Sequence, residues 1–210
     1  MQQDVADQFQ RANKLPYLSW TLPTAPENRD AMMTAWYMPS PLSPFPSSRP
    51  ELDDPEDEDG LLRARTYVES LIDDLVAQGI PPNRIVLGGF SQGHAVTLLT
   101  GLTSAKYAGK LAGLVGLSGY LPLHDRIQAL RSESGLPETA GDVPMFIVRG
   151  TRDVLVPKRY LRLQMEKFKE LGVGESTIEV HEYEGLGHTL SPQELMDLCT
   201  WLEKVIPPLE

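Results

Sequence analysis

RIVLGGFSQG, residues Arg84 to Gly93, places a short apolar strand directly before Gly89-Phe90-Ser91-Gln92-Gly93 and a helical pattern directly after it. The letters Gly-x-Ser-x-Gly alone are a weak signal, equally compatible with a plain Gly-rich turn. The strand–turn–helix context changes their weight. A tight turn from strand to helix forces the serine into a strained backbone conformation and lifts its Oγ above the sheet edge. The flanking glycines let strand and helix pass closely, and the helix N-terminus brings positive potential to the place where negative charge would develop. Ser91 is therefore the candidate nucleophile.

A serine hydroxyl needs a base, and the chain offers four histidines. His181 lies inside the apolar–polar alternation TIEVHEY and reads as a strand side chain. His124 follows a Leu-Pro turn and precedes every plausible acid. His94 sits three residues past Ser91 on the same helix, close but poorly aimed. His188 lies in GLGHTLS, between the last strand and the last helix, which is where a base belongs. The orienting acid should follow a strand between serine and histidine, in the order Ser, Asp, His. Asp153 does so in RGTRDVLVP, after the strand VPMFIV. Asp125 and Asp142 precede that strand and read as loop acids.

Outward from these motifs, apolar spacing predicts helices over Leu61 to Gln78, Gln92 to Leu102, Lys158 to Leu171 and Pro192 to Ile206. Ser191, Pro192 and Glu194 open the last of these as cap, first-turn proline and capping-box acid. Strands are predicted at Arg84 to Gly89, Leu111 to Ser118, Val143 to Val148 and Thr177 to Tyr183, with an earlier one at Tyr17 to Leu22. Strands alternating with helices imply an α/β fold with a mainly parallel sheet covered on both faces. One domain over residues 1–210 is expected, carrying a Pro-rich and acidic insertion at about 38–60.

Composition narrows the function further. Nineteen basic against 29 acidic side chains give a net charge of −10, which argues against nucleic acid as a partner and offers no pull toward anionic membranes. The acid run Glu51 to Asp59 reads as a solvated loop or as a contact for a basic partner. No apolar run reaches membrane-span length, so stable membrane insertion is not expected. One cysteine, Cys199, excludes an internal disulfide and fits a reducing compartment, so a cytoplasmic protein, with the nucleus also open, is expected. Nothing in the sequence sets an oligomeric state.

With its motifs placed, the chain resembles the acyl-protein thioesterase/lysophospholipase group of small carboxylesterases, from about Val5 to the C-terminus. The resemblance rests on LPTAPENRDAMMTAWY (Leu22 to Tyr37), IPPNRIVLGGFSQG (Ile80 to Gly93), LSGYLP (Leu117 to Pro122), GTRDVLVP (Gly150 to Pro157) and YEGLGH (Tyr183 to His188). It implies an α/β-hydrolase fold without metal or cofactor, acting on acyl thioesters and esters. S-acylated proteins and lysophospholipids are the implied substrates. By resemblance Ser91, Asp153 and His188 fall on the family's triad, and the Gln92 amide on one oxyanion donor. Leu121 and the segment from Trp36 to Phe45 are candidate walls of an acyl channel; the segment reads equally well as plain surface.

Two departures accompany the resemblance. The family's first strand and its His-Gly-x-Gly-Asp loop have no counterpart here, so the chain reads as an N-terminally shortened member. That strand would lie between Tyr17–Leu22 and the strand leading to Ser91, and the loop would supply a second oxyanion donor. His94 stands where the family usually has a small residue, either covering the helix surface or aiding catalysis. Three functional readings follow: an active thioesterase or carboxylesterase for lipid-modified substrates, a weak or inactive relative that binds acyl chains or proteins, and a general short-chain esterase.

Overall fold

A computed structural model describes residues 2–28, 30–40, 42 and 56–208. In chain order its elements are α1 (Gln2–Arg11), the short antiparallel pair β1 (Glu27–Asn28) and β2 (Met33–Thr34), α2 (Glu58–Ala77), β3 (Val86–Phe90), α3 (Gln92–Thr103), β4 (Gly113–Leu117), α4 (Ile127–Glu133), β5 (Met145–Gly150), α5 (Lys158–Glu170), β6 (Ile178–Tyr183) and α6 (Pro192–Val205). Strands β3 to β6 form one sheet in the order β3-β4-β5-β6, and every neighbouring pair is parallel.

Alternation along the strands sorts side chains between two faces. Leu87, Leu114, Met145, Ile147 and Ile178 join the apolar residues of α2, α3, α4 and α5. Val86, Val115, Leu117, Phe146 and Val148 pack against α6, with Phe9 of α1. Burial on both faces explains why β4 and β5 read as continuous apolar runs. Met145, Phe146, Ile147 and Val148 are all buried, each worth roughly 1.5–3 kcal/mol.

The helices follow their local signals. Asp57 caps α2 by accepting the N–H of Gly60, and Leu61, Ala64, Val68 and Ile72 form its buried stripe. Gly79, with φ of 93°, ends the run. Ser191 and Glu194 form the reciprocal capping box of α6, with Pro192 in its first turn. Helix α3 is buried from His94 to Thr103 because it lies between the sheet and α2. Among the described residues no helix is long and apolar enough to cross a membrane.

Two expectations need correction. Tyr17–Leu22 forms no strand. Leu18 and Trp20 instead pack on the α1/α6 side of the sheet, and Trp20 stacks on Phe9 with ring centroids 5.7 Å apart. Proline at positions 16 and 23 encloses the segment, and packing Leu18 and Trp20 against the α1/α6 cluster satisfies its alternation without a strand partner. On the side where the family's first strand would lie, β3 is an edge strand among the described residues, and Gly88 on it is exposed. The second correction is that the acid run does not end as a loop: Asp57 is a helix cap, Glu58 and Asp59 form the first turn of α2, and Glu56 accepts the Leu123 N–H at 2.7 Å. Most of the Pro-rich insertion, residues 43–55, lies outside the described residues. Its two ends meet where Asp57 Oδ2 accepts the N–H of Met38 at 2.8 Å.

Candidate active site

Ser91 occupies the sharp turn between β3 and α3, at φ 55° and ψ −116°. That left-handed conformation is strained for a residue with a side chain, and two contacts hold it. The Ser91 N–H donates to Leu117 O at 2.9 Å, extending the β3–β4 ladder past its end. Behind the turn, strand and helix pass so closely that a Cβ on Gly89 would lie 2.2 Å from the carbonyl carbon of Gly93. A glycine two residues before the serine is thus a steric requirement.

The loops after β5 and β6 are tied to one another. Thr151 and Arg152 donate their N–H groups to Tyr183 O at 3.0 Å and Leu186 O at 2.9 Å, and Thr151 Oγ1 accepts the Gly185 N–H at 2.8 Å. This lacing continues the parallel pairing beyond the strand ends and carries Asp153 and His188 to the same height. Asp153 Oδ2 meets His188 Nδ1 at 2.7 Å, and His188 Nε2 meets Ser91 Oγ at 2.9 Å. The Asp153 side chain is fully buried; its Oδ1 accepts the N–H groups of Leu155 and Val156, each at 2.9 Å. Phe90 packs on the imidazole, ring centroids 4.8 Å apart.

These contacts dictate a proton order. A carboxylate only accepts, so His188 Nδ1 carries the hydrogen and Nε2 is left bare toward the serine hydroxyl. Such an arrangement is able to draw a proton from Ser91 Oγ as the oxygen attacks an electrophilic carbon. Gln92 is the first residue of α3, and its N–H belongs to the turn whose amides lack partners within the helix. Among the described residues no group of three or more His, Cys, Asp or Glu is arranged to hold a metal ion.

The other sequence candidates fall at varying distances from this centre. Leu121 is buried and lines a small cavity of about 50 Å³ with Leu42, Tyr120, His124, Tyr160 and Leu163. Trp36 does not line that cavity. Its ring packs on Tyr67 of α2, centroids 6.0 Å apart. Its backbone N–H donates to Gln92 Oε1 at 3.0 Å, and Gln92 Nε2 donates to Tyr37 O at 3.1 Å. His181 is a β6 side chain that packs at a tilt on Phe146 and stacks on Tyr183. His94 does not cover the helix surface: it is 1% exposed.

Sequence reasoning passed over several supporting groups. Gly150 was one, although a glycine closing a strand just before an acid loop is a visible signal. The side-chain clasp of Gln92 on residues 36–37 was another, and no local pattern announces a partner that is backbone. The two amides that hold Asp153 were a third, foreshadowed only by the Asp-x-x spacing of a side-chain turn.

A parallel sheet with Ser91 after one strand, an acid loop after a second and a histidine loop after the next is the α/β-hydrolase fold. The chain belongs to the phospholipase/carboxylesterase family, which residues 2–206 match. It is similar to acyl-protein thioesterase 1 of Yarrowia lipolytica, 34% identical over 96% of this chain and 84% of the relative. It is also similar to acyl-protein thioesterase 1 of Aspergillus fumigatus, 41% identical over 73% of this chain but only 60% of that protein's length. Among solved structures, Arabidopsis thaliana SOBER1 superposes with a TM-score of 0.77 at 30% identity, covering 96% of this chain and 90% of that one. Zea mays acyl-protein thioesterase 2 does so with a TM-score of 0.70 at 26% identity, covering 96% and 88%.

Proposed function

We propose that this chain is a serine hydrolase that cleaves acyl thioesters and esters, with S-acylated proteins as its main substrates and lysophospholipids as a second class. The observation that carries the reading is the continuous chain of contacts from Asp153 through His188 to Ser91, at 2.7 and 2.9 Å. The names of the relatives supply the substrate class.

The mechanism is two-step acyl transfer. Ser91 Oγ attacks the acyl carbonyl carbon while His188 Nε2 takes its proton, and the oxyanion of the tetrahedral intermediate accepts the Gln92 N–H. The C–S bond of a thioester, or the C–O bond of an ester, then breaks. The departing thiolate or alkoxide takes the proton from His188. Water attacks the acyl-enzyme, again giving a proton to Nε2. Collapse releases the carboxylic acid and returns the hydroxyl hydrogen to Ser91. Asp153 holds the ring in the productive tautomer and stabilises the imidazolium without taking the proton.

A fluorophosphonate probe tests the reading directly. The folded wild-type chain is expected to label at Ser91 and to release thiol from an S-octanoyl peptide, and Ser91→Ala to do neither. Absence of label on folded protein would refute the hydrolase assignment. A preference for p-nitrophenyl acetate over the octanoate would instead favour a short-chain esterase.

A further inference from the structure

His94 stands three residues beyond Ser91 on α3, and both of its ring nitrogens are engaged. Nδ1 meets the backbone N–H of Gly119 at 3.0 Å, and Nε2 meets Oε1 of Gln164, on α5, at 3.2 Å. An amide N–H only donates, so Nδ1 is the bare nitrogen and Nε2–H is the donor to Gln164. Burial pushes the imidazole pKa down to about 3, the Gln164 contact opposing this, so the ring stays neutral.

The space around the ring is cut to its shape. A Cβ on Gly116 would lie 2.5 Å from His94 Cε1. A Cβ on Gly119 would lie 2.4 Å from His94 Cβ and 2.6 Å from the carbonyl oxygen of Ser91. One large residue on α3 and two absent side chains on β4 and its following turn thus form a matched set.

What His94 grips is the segment that flanks the nucleophile. Leu117 O accepts the Ser91 N–H at 2.9 Å. Ser118, at a left-handed φ of 47°, donates its N–H to Val148 O at 2.8 Å. Tyr120 reaches Tyr37 hydroxyl to hydroxyl at 3.3 Å, and Tyr37 O is held by Gln92. A strained turn persists only where its surroundings over-determine it. His94 supplies the one side-chain anchor on the Gly119 backbone among the described hydrogen bonds.

We propose that His94 is a positioning residue for the nucleophile: through the Gly119 amide it fixes the Leu117–Tyr120 turn against the Ser91 backbone, with Gln164 fixing its tautomer. The inference rests on the hydrolase reading for its consequence in turnover, though not for the anchor itself.

Two substitutions separate anchoring from space-filling. In His94→Asn, the side-chain oxygen is able to replace Nδ1 as acceptor. In His94→Leu, comparable volume is kept and the acceptor is lost. With p-nitrophenyl octanoate, His94→Leu is expected to lose kcat by at least about 10-fold with KM within about 2-fold, since small misplacements of reacting groups carry costs of this order. His94→Asn is expected to stay within about 3-fold of the wild type. Hydrogen exchange at the Gly119 amide is expected to be fast in His94→Leu and slow in the other two. Equal loss of kcat in both variants, or full kcat in a His94→Leu chain whose Gly119 amide exchanges freely, overturns the proposal.

A measurement on the wild type stands apart from folding of the variants. Two-bond ¹H–¹⁵N correlation is expected to show His94 with Nε2 protonated and Nδ1 bare from pH 5 to 9, and the opposite tautomer would overturn the anchor. Should the wild type fail to label at Ser91, the hydrolase reading falls, and Gly119 exchange together with the tautomer then decides the anchor alone.

Discussion

Gly150 and Leu186 stand so close that a Cβ added to the glycine would lie 2.1 Å from the leucine carbonyl oxygen. That oxygen also accepts the Arg152 N–H, and both lie in the loops that carry Asp153 and His188. The close approach is therefore part of how acid and base reach one another. Gly150→Ala must push the two loops apart. It is expected to lower stability by about 1–3 kcal/mol and turnover by roughly 10²-fold. Ser91 labelling rates and thermal melts check both figures, and an unchanged labelling rate would show that the loops tolerate separation.

Asp153→Asn tests the proton order. The amide oxygen keeps the contacts with the Leu155 and Val156 N–H groups, so the loop should persist. Its Nδ2, however, presents hydrogens to His188 Nδ1 and favours the tautomer with Nε2 protonated. Loss of kcat of the order of 10²–10⁴-fold is expected, with little change in melting temperature. Full activity in the folded variant would remove Asp153 from its assigned role.

Gln92→Ala separates a backbone contribution from a side-chain one. The N–H at position 92 remains, so turnover should stay within about 10-fold of the wild type. Two hydrogen bonds to residues 36 and 37 vanish, each worth about 0.5–1.5 kcal/mol. The variant is expected to be less stable and to be cut faster by protease near Tyr37. Undiminished resistance to cleavage would mean that other contacts hold that segment.

Glu194 makes stability depend on pH. Burial pushes its carboxyl from an ordinary 4.5 up to about 7, with the Ser191 N–H opposing the shift. The unfolded chain releases this proton near 4.5 and the folded chain holds it to about 7. Its contribution is therefore complete below the lower value and is lost as pH rises through the upper one, an effect of the order of 3 kcal/mol. Urea melts from pH 5 to 8 should show wild type losing stability relative to Glu194→Gln, whose amide does not titrate. A constant difference between the two across that range would place the titration elsewhere.

The convergence of Ser91, Asp153 and His188 is legible in the sequence because chemistry and topology constrain the three positions together. Ser91, Asp153 and His188 each follow a strand, and only one histidine stands in the loop where a base belongs. Tyr17–Leu22 reads as a strand but forms none, because alternation at Leu18 and Trp20 suits any extended segment with one buried side; whether it pairs is decided by a distant sheet edge. Of the two readings open for His94, the surface one fails, since the side chain is buried. Its burial depends on Gly116 and Gly119, whose missing side chains make room for it, and one-dimensional spacing does not reveal that fit. Helix α4, with Ile127 and Leu130 buried in seven residues, was too short to show a full period.

The strand that delivers the serine is bonded along one long side only among the described residues. The height of Ser91 is therefore set from one side of the sheet, by β4 through the Leu117 carbonyl, and by the close passage of α3 behind Gly89. The acid loop, by contrast, leaves a strand bonded on both sides, since β5 lies between β4 and β6.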